Sequence, residues 1–444
     1  MCVSMFNHFR FSCLTLVGCT LLAYGGFREL TPVDEAVDRA RALVRHRPPI
    51  VEVPVGDALG RYVAEDVVAP FDIPPFNRSV VDGYAVRSRD TFGASPSNPI
   101  VLKVKGFVGV GETPAYGVGE GEAVEVSTGA PLPPGADAVV MYEKARRIGD
   151  VIEVLEPVPP LGNVSRVGED VRRGEVVVRR GTRLMPWDVA VLASLGFKRV
   201  RVYDVRVAVA CIGGELVELD SVDDVESLFK RGFIVNSNRY SMEGLLRYHG
   251  FTPVYMGIVR DDVEAIRAVL EEALEKYDAV ITTGGASVGR IDYTVEAARS
   301  LNPELLVHGI LMRPGRANSL AVVRGKPVFM LSGFPVASIM GFEALVKPIL
   351  LHMVGAGEEP KPRIKGILTR RVTTPVNTRS YVRVKVYTRE GRVFVEPLAL
   401  TGSGILSTLI KGNGILIVPE NREGFDEGEE VEVVLLRSPA SIEP

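Results

Sequence analysis

The sequence changes character at Asp204, and this change is the feature that most constrains the fold. The segment DVRVAVAC begins there and is almost continuously apolar, as in a strand that is buried on both faces of a sheet. From there to about residue 355, strand-like runs alternate with segments whose apolar residues recur at helical spacing, such as VEAIRAVLEEAL. Because this alternation is typical of a parallel sheet with helices on both faces, we predict an α/β domain over residues 204–355.

Short β-branched runs broken by glycine and proline lie on both sides of that domain. They predict a β-rich module over residues 51–155 and another over residues 356–444, which contains the hairpin sequence YVRVKVYTREGRVFVEPL. Residues 27–50 and 156–203 each contain a predicted helix, and Thr31 is placed to cap the first. The chain is therefore predicted to carry one α/β domain inside a β-rich frame.

Length and composition agree with a protein of several globular domains. A chain of 444 residues is too long for one ordinary core and suggests about three domains. Its 46% hydrophobic and 24% charged residues exclude a disordered chain and a polytopic membrane protein. The formal charge of -3 creates no field that would attract nucleic acid or an acidic membrane, so we expect neither as a partner.

The first 26 residues differ from the rest. Residues 11–23 are uncharged and largely apolar, which resembles a weak signal peptide, but about 13 residues are short for a membrane span. Three of the four cysteines lie in this part. The sequence contains no CxxC pair, so a structural zinc site is not expected. Because the chain after Phe27 reads as a cytosolic enzyme, we interpret residues 1–26 as an N-terminal extension, such as a misassigned start would produce, and expect a cytoplasmic protein.

Two glycine-rich loops follow predicted strands of the α/β domain. The first is CIGGEL at residues 211–216, and the second is TTGGASVG at residues 282–289, which leads to Asp292. Ligands of open α/β sheets bind at the carboxyl ends of strands, and adjacent glycines let backbone N–H groups approach an anion. One such loop is more often a tight turn, but two with a carboxylate each favour a phosphate site. The candidate binding residues are Gly213, Gly214, Gly284, Gly285 and Ser287.

Several other polar segments remain ambiguous from their residues alone. Arg313 and Arg316 bracket a Pro-Gly turn and can hold a polyanion, although a solvated turn is an equal alternative. The loops FNRSVVDGYAV and STGAP of the β-rich module are read first as turn formers. Residues 361–392 hold ten Lys or Arg residues, which predict a solvated strand face, or else a docking surface for another protein.

Six ordered motifs together carry a resemblance to a known family. They are FNRSVVDGYAV, VSTGAPLPPGADAVVMYE, GED, GGEL, GIVRDD and GGASVGRIDYT. The chain from Phe27 to about Pro439 resembles the molybdopterin molybdenumtransferases, the MoeA-like enzymes of molybdenum cofactor synthesis, which are related to the C-terminal domain of gephyrin. The segment SVGRIDYT distinguishes these enzymes from the adenylyltransferases that share the α/β fold.

The resemblance implies a multidomain fold of α/β plus β class. Its parts would be a central parallel-sheet domain of the molybdopterin-binding type, a β-rich second domain, an elongated discontinuous linker domain and a C-terminal β-barrel-like domain. It also implies an enzyme that inserts molybdate into adenylylated molybdopterin and releases AMP, with Mg²⁺ assisting. Such enzymes are elongated homodimers whose cleft joins the α/β domain of one subunit to the second domain of the other.

The resemblance further implies roles for five residues. Asp82 and Thr128 would approach the cleft from the second domain, while Glu215, Asp261 and Asp292 would line it as metal ligands or substrate-positioning carboxylates. Hard oxygen ligands beside a phosphate-binding loop suit Mg²⁺. Cleavage of a phosphate anhydride needs charge neutralisation more than a nucleophile, in keeping with the lack of a plausible His or Cys base in these segments.

The chain departs from the family pattern on the anion-binding side. Arg313 and Arg316 stand where the family usually has Lys-Pro-Gly-Lys, and the sequence LSGFP, which includes Ser332 and Pro335, replaces the usual Leu-Pro-Gly-Asn-Pro near the expected molybdate site. Because arginine is a planar fork and lysine a point charge, we expect a divergent paralogue, in which tungstate is an alternative to molybdate.

Two rival functions remain open at this stage. The first is molybdopterin adenylyl transfer, because the α/β fold is shared, and AMP formation without ATP use would exclude it. The second is a non-catalytic scaffold like gephyrin, which need not retain the acidic set described above. Transient docking of other cofactor-synthesis proteins, for example on residues 361–392, is a further expectation.

Overall fold

The computed structural model describes residues 30–285, 292–399 and 402–441. The predicted extension at residues 1–26 and the candidate residue Ser287 lie outside these ranges. The chain forms two compact units. Unit two comprises residues 49–204 with 354–356, and unit one contains the remaining described residues. The finer domain boundaries proposed from the sequence stay predictions.

The core of unit one is a sheet of six strands in its described residues. The apolar segment that begins after Asp204 is its second strand, and every residue of that strand except Arg206 is buried. The four strands that run parallel are, in spatial order, Thr252–Val259, Arg206–Ile212, Ala279–Thr283 and Lys326–Leu331. Helices on both faces therefore bury the central strands, as predicted, and the carboxyl ends of the four strands meet at one edge.

Of the other two strands, Ser319–Val323 runs opposite to these four and Leu305–Val307 runs in their direction, so the predicted parallel sheet contains one antiparallel strand. Ser319–Val323 pairs antiparallel with both Lys326–Leu331 and Leu305–Val307. The reason is a two-residue turn at Arg324 and Gly325, which have φ values of 53° and 71°. Positive φ at both central residues is the mark of a tight hairpin, which forces antiparallel pairing.

Helices connect the strands of unit one and cover the sheet. Asp224, Asn236, Asp262 and Asp292 each cap a helix by accepting a hydrogen bond from a backbone N–H three residues later. At the first helix Pro32 occupies the cap position and no side chain caps the helix, so the prediction that Thr31 does so was wrong. The helices are Val33–Leu43, Val225–Lys230, Ser237–Tyr248, Val263–Lys276, Tyr293–Ser300, Pro335–Gly341 and Lys347–Val354, with a π-helical stretch at Phe342–Val346 between the last two.

The run Pro335–Val354 is long and apolar enough to cross a membrane by length and composition. Within the fold, 78% of its most apolar window is buried. Phe342 lies in this run and is among the largest fully buried side chains of the described protein. The run therefore packs as a core helix of unit one.

The C-terminal part of unit one closes into a barrel of five strands within residues 363–435. Around the barrel, these are Arg379–Arg389, Arg392–Ala399, Arg363–Leu368, Glu430–Leu435 and Gly414–Val418. The predicted hairpin forms its first two strands, joined through Glu390 and Gly391, both at positive φ. Shorter pairs of this part are Val372–Thr373 with Gly424–Phe425 and Met312–Arg313 with Arg379–Ser380, and the helix Thr408–Lys411 follows the hairpin.

Unit two is β-rich, as the glycine-punctuated pattern predicted. Its largest sheet has six strands within residues 83–154, in the order Ala138–Met141, Gly83–Val86, Glu122–Val126, Ile100–Val108, Val151–Val154 and Ala145–Ile148. Three short antiparallel pairs complete it: Ile50–Pro54 with Arg199–Tyr203, Val67–Val68 with Val176–Val178, and Arg78–Ser79 with Val164–Ser165. The helix Pro186–Ser194 confirms the predicted second helix.

A buried ion cluster joins the core helix of unit one to the start of its C-terminal part. The carboxylate of Glu343 lies 3.2 Å from Lys347 Nζ, contacts Lys361 Nζ through the same oxygen, and has His249 Nε2 3.6 Å from its other oxygen. Burial alone would raise the pKa of the Glu343 carboxyl, but the nearby His249 and the charges of the two lysines hold it well below its ordinary range. Because its pKa is lowered, the ionised Glu343 carboxylate stabilises the fold fully above the ordinary glutamate pKa. This stabilisation is lost progressively as the pH falls below that value.

We predict that Glu343→Gln lowers the free energy of unfolding by about 3 kcal/mol at pH 7, because it leaves the buried ammonium group of Lys347 and the half-buried one of Lys361 uncompensated. The deficit should shrink below about pH 4, because the Glu343 carboxyl of the unfolded wild-type chain is then protonated and must lose its proton on folding. Urea titrations followed by circular dichroism measure both values. As a control, Glu65→Gln removes an exposed ion pair with Arg201 and should change stability by less than about 0.5 kcal/mol. A deficit that is equal at pH 3 and pH 7 would contradict the prediction.

Candidate functional site

A cavity of about 620 Å³ opens at the carboxyl ends of the central strands of unit one. It is bounded by the two glycine-rich loops, the turn between Leu331 and Pro335, the start of helix Ser237–Tyr248 and the loop that contains Gly404. Of the residues predicted from the sequence, it is lined by Glu215, Asp261, Gly284, Gly285, Ser332 and Pro335. The other predicted residues of unit one that the structure describes, Gly213, Gly214, Asp292, Arg313 and Arg316, are not in the lining.

The first glycine loop brings two carboxylates to this cavity. Gly213 N–H donates to the carbonyl of Val259 at 3.0 Å, so the loop remains tied to the end of the neighbouring strand. Gly214 N–H donates to Asp261 Oδ2 at 3.0 Å, which links the loop to the one that follows that strand. Both Glu215 and Asp261 are exposed. Two solvated carboxylates on adjacent loops can bind a cation or position a polar substrate.

The second loop requires glycine for two separate reasons. Gly284 has φ 89°, and a Cβ there would lie 2.1 Å from the carbonyl oxygen of Ile212. Gly285 has φ 67°, and its Cβ would lie 2.4 Å from Thr294 Oγ1. Any residue other than glycine would therefore be strained at either position. Closely packed glycine backbone of this kind is typical of anion-binding turns.

Asp292 caps helix Tyr293–Ser300 by accepting a hydrogen bond from Val295 N–H at 3.1 Å. Its other oxygen, Oδ2, is buried and has no hydrogen-bond partner among the described residues, although His308 Nε2 lies 3.4 Å away. His308 is a residue that the sequence reading missed, because sixteen positions separate it from Asp292. In the described ranges no three His, Cys, Asp or Glu side chains come together as a metal-binding group. The structure therefore does not gather Glu215, Asp261 and Asp292 into one set of ligands.

The floor of the cavity contains polar residues that the sequence reading also missed. Asn236 is 1% exposed and donates from Nδ2 to Tyr255 Oη at 3.0 Å, and Asn238 Nδ2 donates to the carbonyl of Gly333 at 2.8 Å. Thr283 is buried beside them. The signal was present in the segment IVNSN, where a short apolar run is followed by a good helix cap.

A network of ionic and hydrogen-bonding side chains supports this floor. Tyr255 donates to Glu218, and Arg239 pairs with Glu218 at 2.9 Å and with Glu243 at 3.2 Å. The neighbouring thiol of Cys211 is buried, and burial raises its pKa despite contacts with Thr283 and Asn236 that lower it. Cys211 is therefore protonated at neutral pH and is unsuited to act as a nucleophile.

Two arginines near the cavity, Arg313 and Arg383, are called here the arginine pair because the charge of one acts on the other, and the sequence reading found only Arg313. Arg383 is 2% exposed and donates to the carbonyl of Gly402 at 3.3 Å, two residues from the cavity-lining Gly404. Burial lowers the pKa of Arg383, and the nearby charge of Arg313 lowers it further. The expectation of a solvated face over residues 361–392 thus fails at Arg383. Two like charges held together in a partly buried position favour an anion between or beside them.

In unit two, Asp82 and Thr128 lie in contact with each other. Thr128 N–H donates to Asp82 Oδ1 at 2.8 Å, and both side chains are exposed. Asp82 immediately precedes strand Gly83–Val86 and Thr128 closely follows strand Glu122–Val126, which pair antiparallel. This pairing brings the end of the second strand beside the start of the first, so the two polar loops form one polar tip.

Comparison with known families covers most of the described chain. A model of the MoeA N-terminal region, domains I and II, matches residues 31–196. A model of a molybdopterin binding domain matches residues 208–352, and a model of the MoeA C-terminal region, domain IV, matches residues 365–436. The first match covers most of unit two with the first helix of unit one, the second covers nearly all of the six-stranded sheet, and the third covers nearly all of the barrel.

Individual relatives agree with these matches. The chain is 40% identical over 390 residues to a molybdopterin biosynthesis protein of Methanocaldococcus jannaschii, covering 87% of this chain and 92% of the relative. It is 36% identical over 419 residues to the molybdopterin molybdenumtransferase of Staphylococcus aureus, covering 94% and 98% of the two chains. A crystal structure of the molybdopterin biosynthesis MoeA protein of Pyrococcus horikoshii superposes with a TM-score of 0.78 at 38% identity, covering 92% of this chain and all of that one. The chain belongs to the MoeA family, and it is a molybdopterin molybdenumtransferase of molybdenum cofactor biosynthesis.

Proposed function

We propose that this enzyme takes adenylylated molybdopterin and an oxyanion, molybdate or tungstate, inserts the metal between the dithiolene sulfurs and releases AMP, in the cytoplasm. The observation that carries the proposal is the cavity in which Glu215 and Asp261 face the Gly284–Gly285 turn. A glycine turn suits a phosphate, and carboxylates beside it suit the cation that a phosphate brings with it. The described cavity lining contains no His or Cys, which fits a reaction driven by charge neutralisation.

The donor set fits Mg²⁺, which we propose as the cofactor. The residues that would hold it are Glu215 and Asp261, whose exposed carboxylates are hard oxygen donors on one cavity wall. One or two carboxylates are enough for Mg²⁺ when substrate phosphate and water complete its ligands, so a set of three is not required. Asp292 has a buried oxygen with no hydrogen-bond partner among the described residues. We propose that it positions the substrate from the side of the second glycine loop. When bound, the cation would neutralise the phosphate charge of the leaving adenylate.

The oxyanion would bind at the arginine pair. Arg313 and Arg383 place positive charge beside the loop that reaches the cavity through Gly404, and Arg316, three residues after Arg313, is exposed at the end of a buried Pro-Gly turn. Molybdate and tungstate are tetrahedral dianions, and a guanidinium fork can donate two hydrogen bonds to such an ion. We propose that these arginines replace the lysines of the family pattern without loss of oxyanion binding.

The Asp82–Thr128 tip would complete the site in a homodimer. We propose that the tip of one subunit approaches the cavity of the other, because the resemblance places both residues at a cleft between subunits. The tip offers the Asp82 carboxylate and the Thr128 hydroxyl, both exposed, at the ends of paired strands that fix their positions. This arrangement makes each site depend on two chains.

The first prediction tests the carboxylates. Incubation with adenylylated molybdopterin, Mg²⁺ and molybdate should release AMP without ATP, and Asp261→Asn or Asp292→Asn should reduce the rate about a hundredfold. Asn still caps a helix, so the Asp292 variant should stay folded. Asp262→Asn is a matched control, because Asp262 is also a helix cap and adjoins Asp261. Full activity of the Asp261 and Asp292 variants would contradict the assignment, and a requirement for ATP would favour adenylyl transfer.

The second prediction concerns the oxyanion. Arg316→Ala should raise the KM for molybdate about tenfold and leave the KM for adenylylated molybdopterin unchanged, because one charge-assisted donor is lost. Arg371→Ala, which removes an exposed pair with Asp426, should leave both unchanged. Competition between molybdate and tungstate in the same assay measures preference, and equal affinities would remove any tungstate specialisation. An unchanged KM for molybdate in Arg316→Ala would exclude this residue from oxyanion binding.

The third prediction tests whether the site is shared between subunits. Asp82→Asn and Asp261→Asn chains should each be inactive alone, but their mixture should recover about a quarter of wild-type activity, because half of the dimers then carry one complete site. A mixture of Glu215→Gln with Asp261→Asn should recover nothing, since both residues line one cavity in one chain. Activity is measured after subunit exchange, with light scattering to establish the dimer. Absence of recovery in the first mixture would place all five residues in one chain's site.

A further inference from the structure

Two large aromatic side chains stand exposed in the wall of the cavity. Phe334 is 60% exposed and Phe229 is 53% exposed, and both belong to the lining. A single exposed aromatic residue is ordinary, but two in one concave site leave a large apolar area in water where a ligand could cover it. Flat aromatic faces in such a wall suit a flat ligand ring.

The position of Phe334 is fixed from both sides. Its own N–H donates to Ser332 Oγ at 3.2 Å, and two residues later Val336 N–H donates to the carbonyl of Ser403 at 3.0 Å. A Cβ on Gly404 would lie 3.2 Å from Cδ1 of Phe334, so the loop of the C-terminal part lies against one side of the ring. The ring is thus supported at one edge, and most of its surface remains open.

Folding alone gives no reason for a phenylalanine at this position. Phe334 is the cap residue of helix Pro335–Gly341, since its carbonyl accepts a hydrogen bond from Ser338 N–H at 3.0 Å, yet no side chain caps that helix. Ser, Thr, Asp or Asn at this position usually caps a helix with its side chain, whereas here the Val336 N–H of the first turn donates to the Ser403 carbonyl. The chain therefore gives up a helix cap and also leaves an aromatic ring in water.

We infer that Phe334 is a specificity-determining residue that stacks on the planar heteroaromatic ring of the substrate, with Phe229 on the same wall. This inference rests on the proposed function, in which the substrate carries two such rings, the purine of the adenylate and the pterin. Both rings offer the same flat π-face to an aromatic side chain. The buried amides and hydroxyl of Asn236, Asn238 and Thr283 supply polar groups at the cavity floor, as the edge of either ring requires.

Calorimetric titration of the full-length chain tests this inference, with AMP, pterin-6-carboxylate and ribose 5-phosphate as probes. Phe334→Leu keeps an apolar side chain without the ring, and should weaken binding of AMP or of the pterin about tenfold, while ribose 5-phosphate binds as before. Phe334→Trp should restore the affinity. Phe92→Leu is the matched control, because Phe92 is 57% exposed and does not line the cavity, and it should change nothing.

The arms of this experiment distinguish the rings. A loss confined to AMP identifies the purine as the stacked ring, a loss confined to the pterin identifies the pterin, and a loss for both supports stacking with either. Unchanged binding of both rings by Phe334→Leu would overturn the inference, as would an equal loss for ribose 5-phosphate. A wild-type chain that binds neither ring would also overturn it.

A stability measurement separates a binding role from a structural one. Phe334→Asn supplies the missing cap and should raise Tm by about 1–3 °C while it weakens ring binding. If Phe334 served only the fold, the same variant would lower Tm. If the proposed function were wrong, the wild-type chain would release no AMP from adenylylated molybdopterin. If the wild-type chain releases AMP and Phe334→Leu releases it at the same rate, only the stacking inference is contradicted.

Discussion

The close approach of two strand ends is the constraint on which the site depends. Gly284 passes so near the carbonyl of Ile212 that no side chain fits between them, and the two loops that follow these strands are thereby held side by side. The carboxyl ends of parallel strands lie at the same edge of the sheet, so the loops that follow these strands lie close together there. The carboxylates of one loop and the phosphate-type turn of the other share a cavity for this reason. A methyl group at Gly284 would separate the strands before it affected any ligand.

The supporting residues of the cavity follow from the cost of burying polar groups. Asn236 and Tyr255 are hydrogen-bonded to each other, Tyr255 donates to Glu218, and Glu218 pairs with Arg239, so these four polar groups beneath the cavity have partners. A buried polar network of this kind is stable only when it is complete, and it then holds its members in one arrangement. The floor is consequently rigid, while the exposed wall of carboxylates and aromatic rings faces solvent. Rigid polar groups beneath an open wall are the arrangement that discriminates between ligands by fit.

The sequence predicted the parts of the fold that depend on local pattern. Buried strands such as Arg206–Ile212 are visible as unbroken apolar runs, and the helix Val263–Lys276 is visible from its spacing. The reversed direction of strand Ser319–Val323 was not predicted, because the turn at Arg324 and Gly325 looks like any short polar break until its φ values are known. Arg383 was missed because alternation along a strand shows which residues share a face but not which face is inside. In a closed barrel that distinction decides whether a charge meets water.

The candidate site was predictable to the same degree. Loops at strand ends revealed Glu215, Gly284 and Gly285, whereas the contact of Asp292 with His308 depends on chain segments that only the tertiary fold brings together.

The closed barrel of residues 363–435 has one more consequence. Its five strands pair in a ring, and among the described residues further strands join it only at the two ends of Arg379–Arg389, where Met312–Arg313 and Ala440–Ser441 pair. Because the middle of each strand has its backbone groups paired within the ring, a protein that docks there must recognise side chains and not backbone.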